Sequence, residues 1–311
     1  MKGAFLIEYL VNGSVIKGLY DTMTFSGGEE HVNVEVPESG IEKVEITAKI
    51  RSSRDLMRLM LIKDAIDNRL IGKQKPNFHL IIPYLPYARQ DRVTSDGFSF
   101  SLKVIGNMIN SMKFNKVTTC DVHSNVAFGI IDNLNNLGMN FVTTCALYNK
   151  AFANAVSVTN QMARNKAITV IVPDAGASKR CEDFNEIMFM YGIDIELIQA
   201  TKERDPNTGR INNITIHCDS LAAKNNIIVV DDICDGGGTF IGIAKEAARK
   251  GAVSLDLLVT HGIFSKGIDE LSKYYYNIFT SDSWCTLDGD DIMKTLNVFD
   301  IVKHMREVKN V

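Results

Sequence analysis

Ile227–Phe240 reads IIVVDDICDGGGTF. Its four leading aliphatic residues, Ile227 to Val230, predict a strand buried on both faces. Two adjacent acids, Asp231 and Asp232, close that run. Asp235 then leads Gly236, Gly237, Gly238 and Thr239 into a helical pattern from about Phe240 to Lys250. Glycines let successive backbone N–H groups converge on one anion without a Cβ in the way. The helix N-terminus adds its positive dipole end, and Thr239 adds a hydroxyl. The turn is thus a phosphate cradle, and the paired carboxylates are acceptors for vicinal hydroxyls. Together they suit a sugar phosphate. No lysine follows the glycines, which separates the loop from a Walker A motif.

The same grammar recurs on either side. Phe78–Ile82 (FHLII) precedes PYLPYARQDR and a helical pattern over Leu102–Met112. Lys116–Cys120 (KVTTC) precedes DVHSN, Ile168–Val172 (ITVIV) precedes PDAGASKR, and Val253–Val259 (VSLDLLV) precedes THGIFS. Short apolar runs alternating with helices imply parallel crossover units, hence an α/β class with doubly wound sheets. In such sheets ligands sit outside the C-terminal ends of the strands, where all of these polar loops fall. His31–Val36 and Lys43–Ile50 alternate as strands. At 311 residues the chain has room for two domains at about 150 residues each. The expected division is 1–145, completed by 290–311, and 146–289, with the boundary near Thr143–Asn149. The closing stretch Asp290–Met305 is expected to pack back on the first domain.

Lys plus Arg is 34 and Asp plus Glu is 37, a net charge of −3, which excludes an overall basic field for nucleic acid. No run approaches the roughly 20 apolar residues that span a bilayer. The six cysteines show no Cys-x-x-Cys pair or zinc-ligand spacing, as expected of free thiols in a reducing cytoplasm.

The aspartate–glycine loop resembles the 5-phosphoribosyl-1-diphosphate (PRPP) loop of type I phosphoribosyltransferases. Further stretches narrow the resemblance. Phe25–Glu35 (FSGGEEHVNVE), Ile81–Arg92 (IIPYLPYARQDR), Asp121–Ser124 (DVHS) and Val172–Gly176 (VPDAG) are similar, in order and spacing, to motifs of the ribose-phosphate pyrophosphokinases, or PRPP synthetases. The resemblance implies two type I phosphoribosyltransferase-like domains. It also implies a reaction in which the 1-hydroxyl of ribose 5-phosphate takes the β,γ-diphosphoryl group of ATP, giving PRPP and AMP. Such transfers depend on positioning and charge neutralisation.

The resemblance also assigns residues. Arg89 and Gln90 match the ATP-contacting pair, and Phe25 an aromatic that packs on adenine. Gly27, Gly28 and Glu29 match a stretch that meets adenine from a neighbouring subunit, implying a homo-oligomer: a dimer, or dimers stacked as a hexamer. His123 and Asp174 match ligands of Mg2+. Lys202 and Arg204, in the polar segment TKERDPNTGR, match two cations of a mobile catalytic loop. Asp231, Asp232, Asp235, Gly236, Gly237, Gly238 and Thr239, with Arg204, match the ribose 5-phosphate site. Arg180 is a further candidate anion contact. Gly236 replaces a usual Thr and removes one hydroxyl donor, and Gly27 replaces a usual Asp or Asn. Thr94–Phe100 replaces a usually basic segment, and Val126 replaces a Gln in the region tied to regulation. Two other readings are a non-catalytic regulatory relative and a PRPP-consuming phosphoribosyltransferase. The first would be expected to lose catalytic cations or metal ligands, and the second would not need YARQDR.

Overall fold

The computed structural model describes residues 4–162, 168–204, 211–224, 226–285 and 295–307. The chain divides into two units, one running to Leu137 and rejoined from Met305, the other from Gly138 to His304.

The first unit contains β1 (Phe5–Val11), β2 (Ser14–Gly18), β3 (Tyr20–Thr24), β4 (Glu30–Val34) and β5 (Ile41–Ala48). It continues with α1 (Ser53–Arg69), β6 (Asn77–Ile82), α2 (Ser101–Ser111), β7 (Lys116–Cys120) and β8 (Leu134–Leu137). Six strands form one sheet in the order β2-β1-β5-β6-β7-β8. β5 to β8 are mutually parallel, while β1 and β2 run antiparallel at one edge. The burial patterns explain the difference. Phe78 to Ile82 of β6 are all buried, as helix-covered parallel strands require. In β1, buried Phe5, Ile7 and Tyr9 alternate with half-buried neighbours. β3 and β4 pair separately as an antiparallel hairpin. The preceding loop sets α1 through a complete capping box: Ser52 accepts the Asp55 N–H, and the Asp55 carboxylate accepts the Ser52 N–H.

The second unit begins with α3 (Met139–Leu147), α4 (Lys150–Met162), β9 (Ile168–Val172) and α5 (Ser178–Met190). There follow β10 (Ile195–Arg204), β11 (Ile211–Ile216), β12 (Ile227–Cys234), α6 (Gly238–Arg249) and β13 (Asp256–Gly262). α7 (Asp269–Ser272), β14 (Asn277–Ser281), β15 (Leu296–Phe299) and α8 (Ile301–Glu307) close it, the end of α8 belonging to the first unit. Its seven-stranded sheet has the order β11-β10-β9-β12-β13-β14-β15, parallel except for β11. The α/β class with mostly parallel sheets is therefore the observed one.

Three sequence expectations change. The division falls at Leu137, ahead of Thr143–Asn149. The closing stretch gives its strand to the second sheet, because the unpaired edge of β14 takes β15 in parallel register. Only from Met305 does the chain rejoin the first unit, where Arg306 pairs with Glu8 and its Nε lies 3.8 Å from Glu45; residues 290–294 lie outside the described residues. Finally, β12 does not stop at Val230 but continues through Asp231 and Asp232 to Cys234. Hydrogen bonding to β13 carries it on, with Asp231 opposite Val259 and Ile233 opposite His261.

Tyr275 ties this sheet's surroundings to the glycine turn: its fully buried hydroxyl donates to the Phe240 carbonyl in the first turns of α6, at 2.8 Å. Tyr275→Phe is expected to cost about 1 kcal/mol, read as a lower denaturation midpoint with an unchanged denaturant slope.

Candidate functional site

In the second unit, Gln199 of β10 stands opposite Val172, the last residue of β9, and β12 lies on the other side of β9. The loop after β9, the end of β10 and the loop after β12 therefore share the C-terminal edge of the parallel strands. Asp174 begins the first of them. Its Oδ1 accepts the N–H groups of Gly176 (2.8 Å) and Ala177 (3.2 Å), nucleating a single 3-10 turn before α5. Its Oδ2 pairs with Lys202 Nζ. Burial pushes the Asp174 carboxyl up, but Lys202 and the two backbone donors outweigh it and hold it below the usual carboxylate range. Two residues assigned from separate motifs thus meet as an ion pair.

Lys202 and Arg204 are not on an irregular loop up to that point. Both lie in β10, paired antiparallel with β11; Lys202 stands opposite Ile214 and Arg204 opposite Ile211, with a register irregularity between Glu203 and Arg204. Inward Ala200 and Lys202 alternate with exposed Thr201 and Glu203, which lets this polar stretch extend as a strand beside β11. The rest of the expected lid, including Pro206, Gly209 and Arg210, lies outside the described residues.

Arg180, near the start of α5, spans the two strand acids. Its Nη1 lies 3.5 Å from Asp231 Oδ1 and its Nη2 3.4 Å from Asp232 Oδ2. Asp231 Oδ1 also accepts the Asp232 N–H at 2.9 Å. Burial, followed by the neighbouring Asp232 charge, pushes the Asp231 carboxyl above the usual range, and Arg180 offsets part of that rise. Arg180 is therefore the counter-ion of both strand acids, a role that sequence spacing did not reveal. The guanidinium fork reaches two carboxylates where a lysine would reach one.

β12 ends at Cys234, and Asp235 and Gly236 make the turn. Gly237 takes a left-handed conformation (φ 76°) directly before α6, where a side chain would be strained. No side chain caps α6, whose first residues are Gly238 and Thr239. The first N–H groups of a helix lack internal partners, so the turn presents donors to an anion. The strand-end loop after β13 buttresses it. The N–H groups of Ile263 and Phe264 donate to the Cys234 carbonyl (2.9 and 3.1 Å), and that of Ser265 donates to the Asp235 carbonyl (3.1 Å).

In the first unit, the β3–β4 hairpin presents Phe25, Gly27, Gly28 and Glu29 at its tip. The tip is closed by the Phe25 N–H on the Glu29 carbonyl and the Gly28 N–H on the Phe25 carbonyl, both 2.8 Å. Phe25 is 47% exposed, so it is not a core residue. The hairpin is anchored beside its tip, at the Thr24–Glu30 rung. Glu30 pairs with Arg54 (3.0 Å) and Arg58 (2.6 Å) of α1 and accepts the Thr24 hydroxyl (2.8 Å).

Arg89 and Gln90 follow β6 and are exposed. A tight turn sets them: Tyr87 is left-handed (φ 62°), and its carbonyl accepts the Gln90 N–H at 2.9 Å. His123 is exposed and follows β7, beyond buried Asp121, itself at φ 39°. Because Ile82 and Thr119 are register partners, these two loops share one sheet edge. Ser124 joins them by donating to Asp91 at 2.7 Å, and Asp91 also pairs with Arg92 Nε at 3.0 Å. Asp91 thus serves the loop junction through Ser124 and Arg92. Among the described residues, no three His, Cys, Asp or Glu side chains gather as a metal site. No helix there is long and apolar enough to cross a membrane.

No protein-family model matches the chain. Curated relatives do. The chain is 28% identical over 242 residues to a protein named ribose-phosphate pyrophosphokinase from Ureaplasma parvum, covering 78% of this chain and 67% of that one. It is 27% identical over 256 residues to one of the same name from Pyrococcus abyssi, covering 80% and 78%. Among solved structures, phosphoribosylpyrophosphate synthetase from Mycobacterium smegmatis superposes with a TM-score of 0.73 at 19% identity, covering 93% of this chain and 88% of that one. That likeness confirms the fold.

Because its carboxyl is raised in the folded state, Asp231 contributes stability that is complete below about pH 4 and lost as pH rises through its folded value. Asp231→Asn is therefore expected to raise the thermal midpoint at pH 7 and to have a much smaller effect near pH 4. Unfolding scans at both pH values check this.

Proposed function

We propose that this chain, a divergent relative of the ribose-phosphate pyrophosphokinases, is a transferase that makes PRPP and AMP from ribose 5-phosphate and ATP. The observation that carries the reading is the shared strand-end edge of the second unit. It brings together a glycine-turn phosphate cradle, two acids bridged by Arg180, and the Lys202–Asp174 pair. The relatives' common name supports the reaction type.

In this reading the 5-phosphate lies against the N–H groups of Gly236 to Thr239. Asp231 and Asp232 accept from the ribose hydroxyls, with Asp235 at the mouth of the turn. The 1-hydroxyl oxygen forms a bond to the β-phosphorus of ATP as the bond from that phosphorus to the α,β-bridging oxygen breaks. AMP leaves, and the hydroxyl proton passes to solvent. Lys202, held beside the reaction edge by Asp174, turns its ammonium to the diphosphoryl oxygens as their charge grows. Arg204, two residues further along β10, is the second cation assigned to that charge. In the first unit, Phe25 and the tip residues Gly27, Gly28 and Glu29 receive adenine, and Arg89 and Gln90 contact the triphosphate. The exposed apolar residues Val15, Ile16, Leu19 and Met23 on the adjoining strands and turn support a homo-oligomer.

The donor chemistry fits Mg2+ shared with polyphosphate. Asp174 is an ionised oxygen donor at a strand end, and Mg2+ commonly takes only one or two protein carboxylates, completing its shell with phosphates and water. Asp174 would hold the ion in the second unit. When bound, the metal would neutralise phosphate charge and align the transferred group. None of the six cysteines forms a disulfide and five of them are buried, which suits a reducing cytoplasm.

A non-catalytic regulatory role is disfavoured by the presence of both Lys202 and Asp174. Incubation with ATP, Mg2+ and ribose 5-phosphate is expected to yield AMP and PRPP in equal amounts. Formation of ADP, or no turnover, would defeat the assignment. Lys202→Ala is expected to lower kcat about 100-fold or more, with nucleotide binding largely kept, as measured by coupled AMP release and calorimetric titration.

A further inference from the structure

Gly236 lacks the hydroxyl that the resembled family usually places in the phosphate cradle, and the structure shows what lies against that gap. A Cβ built on Gly236 would meet the side chain of Lys266, at 3.5 Å from Cε, 3.6 Å from Cδ and 4.0 Å from Cγ. The stem of Lys266 thus runs along the glycine, and its ammonium lies one bond beyond the nearest of these atoms. The approach is fixed by backbone. The Ile263, Phe264 and Ser265 N–H groups donate to the Cys234 and Asp235 carbonyls, locking the two loops together immediately before each contact residue. Phe264 (φ 47°) and Gly267 (φ 73°) are both left-handed and turn the chain sharply around Lys266; the Gly267 N–H closes that turn on the Phe264 carbonyl at 2.8 Å. Among the described residues, no ion pair or hydrogen bond engages the Lys266 ammonium, although Asp235 lies in the facing turn.

We propose that Lys266 is a substrate-binding residue. It supplies to the sugar's 5-phosphate the donor that a hydroxyl at position 236 would otherwise provide, replacing a neutral donor with a cationic one. The inference rests on the functional reading above and adds to it a residue that no motif assigned. The geometry explains why the two positions belong together. Gly236 leaves the lysine stem a smooth surface to cross, while Lys266 restores the lost contact from outside the turn. An ammonium also sets a full positive charge against the phosphate anion, so the exchange keeps the cradle complementary to it.

Four proteins test this: wild type, Lys266→Met, Gly236→Thr, and the double variant. A threonine Cβ meets the lysine stem only at ordinary contact distance, so these variants are expected to fold. In steady-state assays, Lys266→Met is expected to raise KM for ribose 5-phosphate about tenfold, leaving kcat and KM for ATP within about twofold. Adding Gly236→Thr to that variant should recover most of the loss. In calorimetry without ATP, wild type should bind ribose 5-phosphate and not ribose, and Lys266→Met should lose affinity for the phosphorylated sugar alone. An unchanged KM and affinity for ribose 5-phosphate in Lys266→Met overturns the role of Lys266 and leaves the functional reading intact. A parallel rise in both KM values, or no recovery in the double variant, overturns it too by showing general damage. If wild type does not turn over, the functional reading fails, and the binding data still decide Lys266. If wild type does not bind ribose 5-phosphate, both fail.

Discussion

Two carboxylates at consecutive positions of a buried strand repel each other and lose hydration together. Asp231 and Asp232 persist at the end of β12 because one guanidinium, Arg180, reaches both. That constraint organises the second unit. Arg180 must project from the start of α5, so α5 must begin at the strand-end edge, and Asp174 starts it there by accepting two backbone N–H groups. Asp174 in turn holds Lys202 on the neighbouring strand. One chain of ion pairs and hydrogen bonds thus orders the two acids, Arg180, Asp174 and Lys202 along one sheet edge.

The cost is local instability at neutral pH, since the Asp231 carboxyl is raised by burial and by its neighbour. Such strain is the usual mark of a site shaped for a ligand. In the proposed function, a hydroxyl-bearing substrate relieves it by donating hydrogen bonds to charges that water no longer solvates. The glycine turn follows the opposite electrostatic rule, offering uncapped N–H groups to a phosphate. A sugar phosphate matches both halves, its hydroxyls facing acids and its phosphate facing donors.

Much of this was legible in residues 227–240. An apolar run and a glycine run identify the strand and the tight turn into α6, because each depends on local chain chemistry. The limits of that legibility are equally specific. β12 continued through its acids because β13 supplied backbone partners, which no propensity of Asp231 or Asp232 indicates. β15 joined the second sheet because β14 offered an open edge. Lys202 reads as part of a polar turn until β11 pairs with it. Arg180 precedes Asp231 by 51 residues, and no local pattern predicts that contact.

The amino-acid sequence by itself determined the α/β class, the phosphate turn and the candidate acids and cations, since strand burial, helix-terminal N–H groups and glycine freedom act over a few neighbouring residues. Tertiary structure alone decided which charges meet. Arg180 with the paired acids, Lys202 with Asp174, and Lys266 across Gly236 are contacts between separate loops. Parallel strand pairing carries those loops to common sheet edges, and backbone hydrogen bonds between distant segments hold them there.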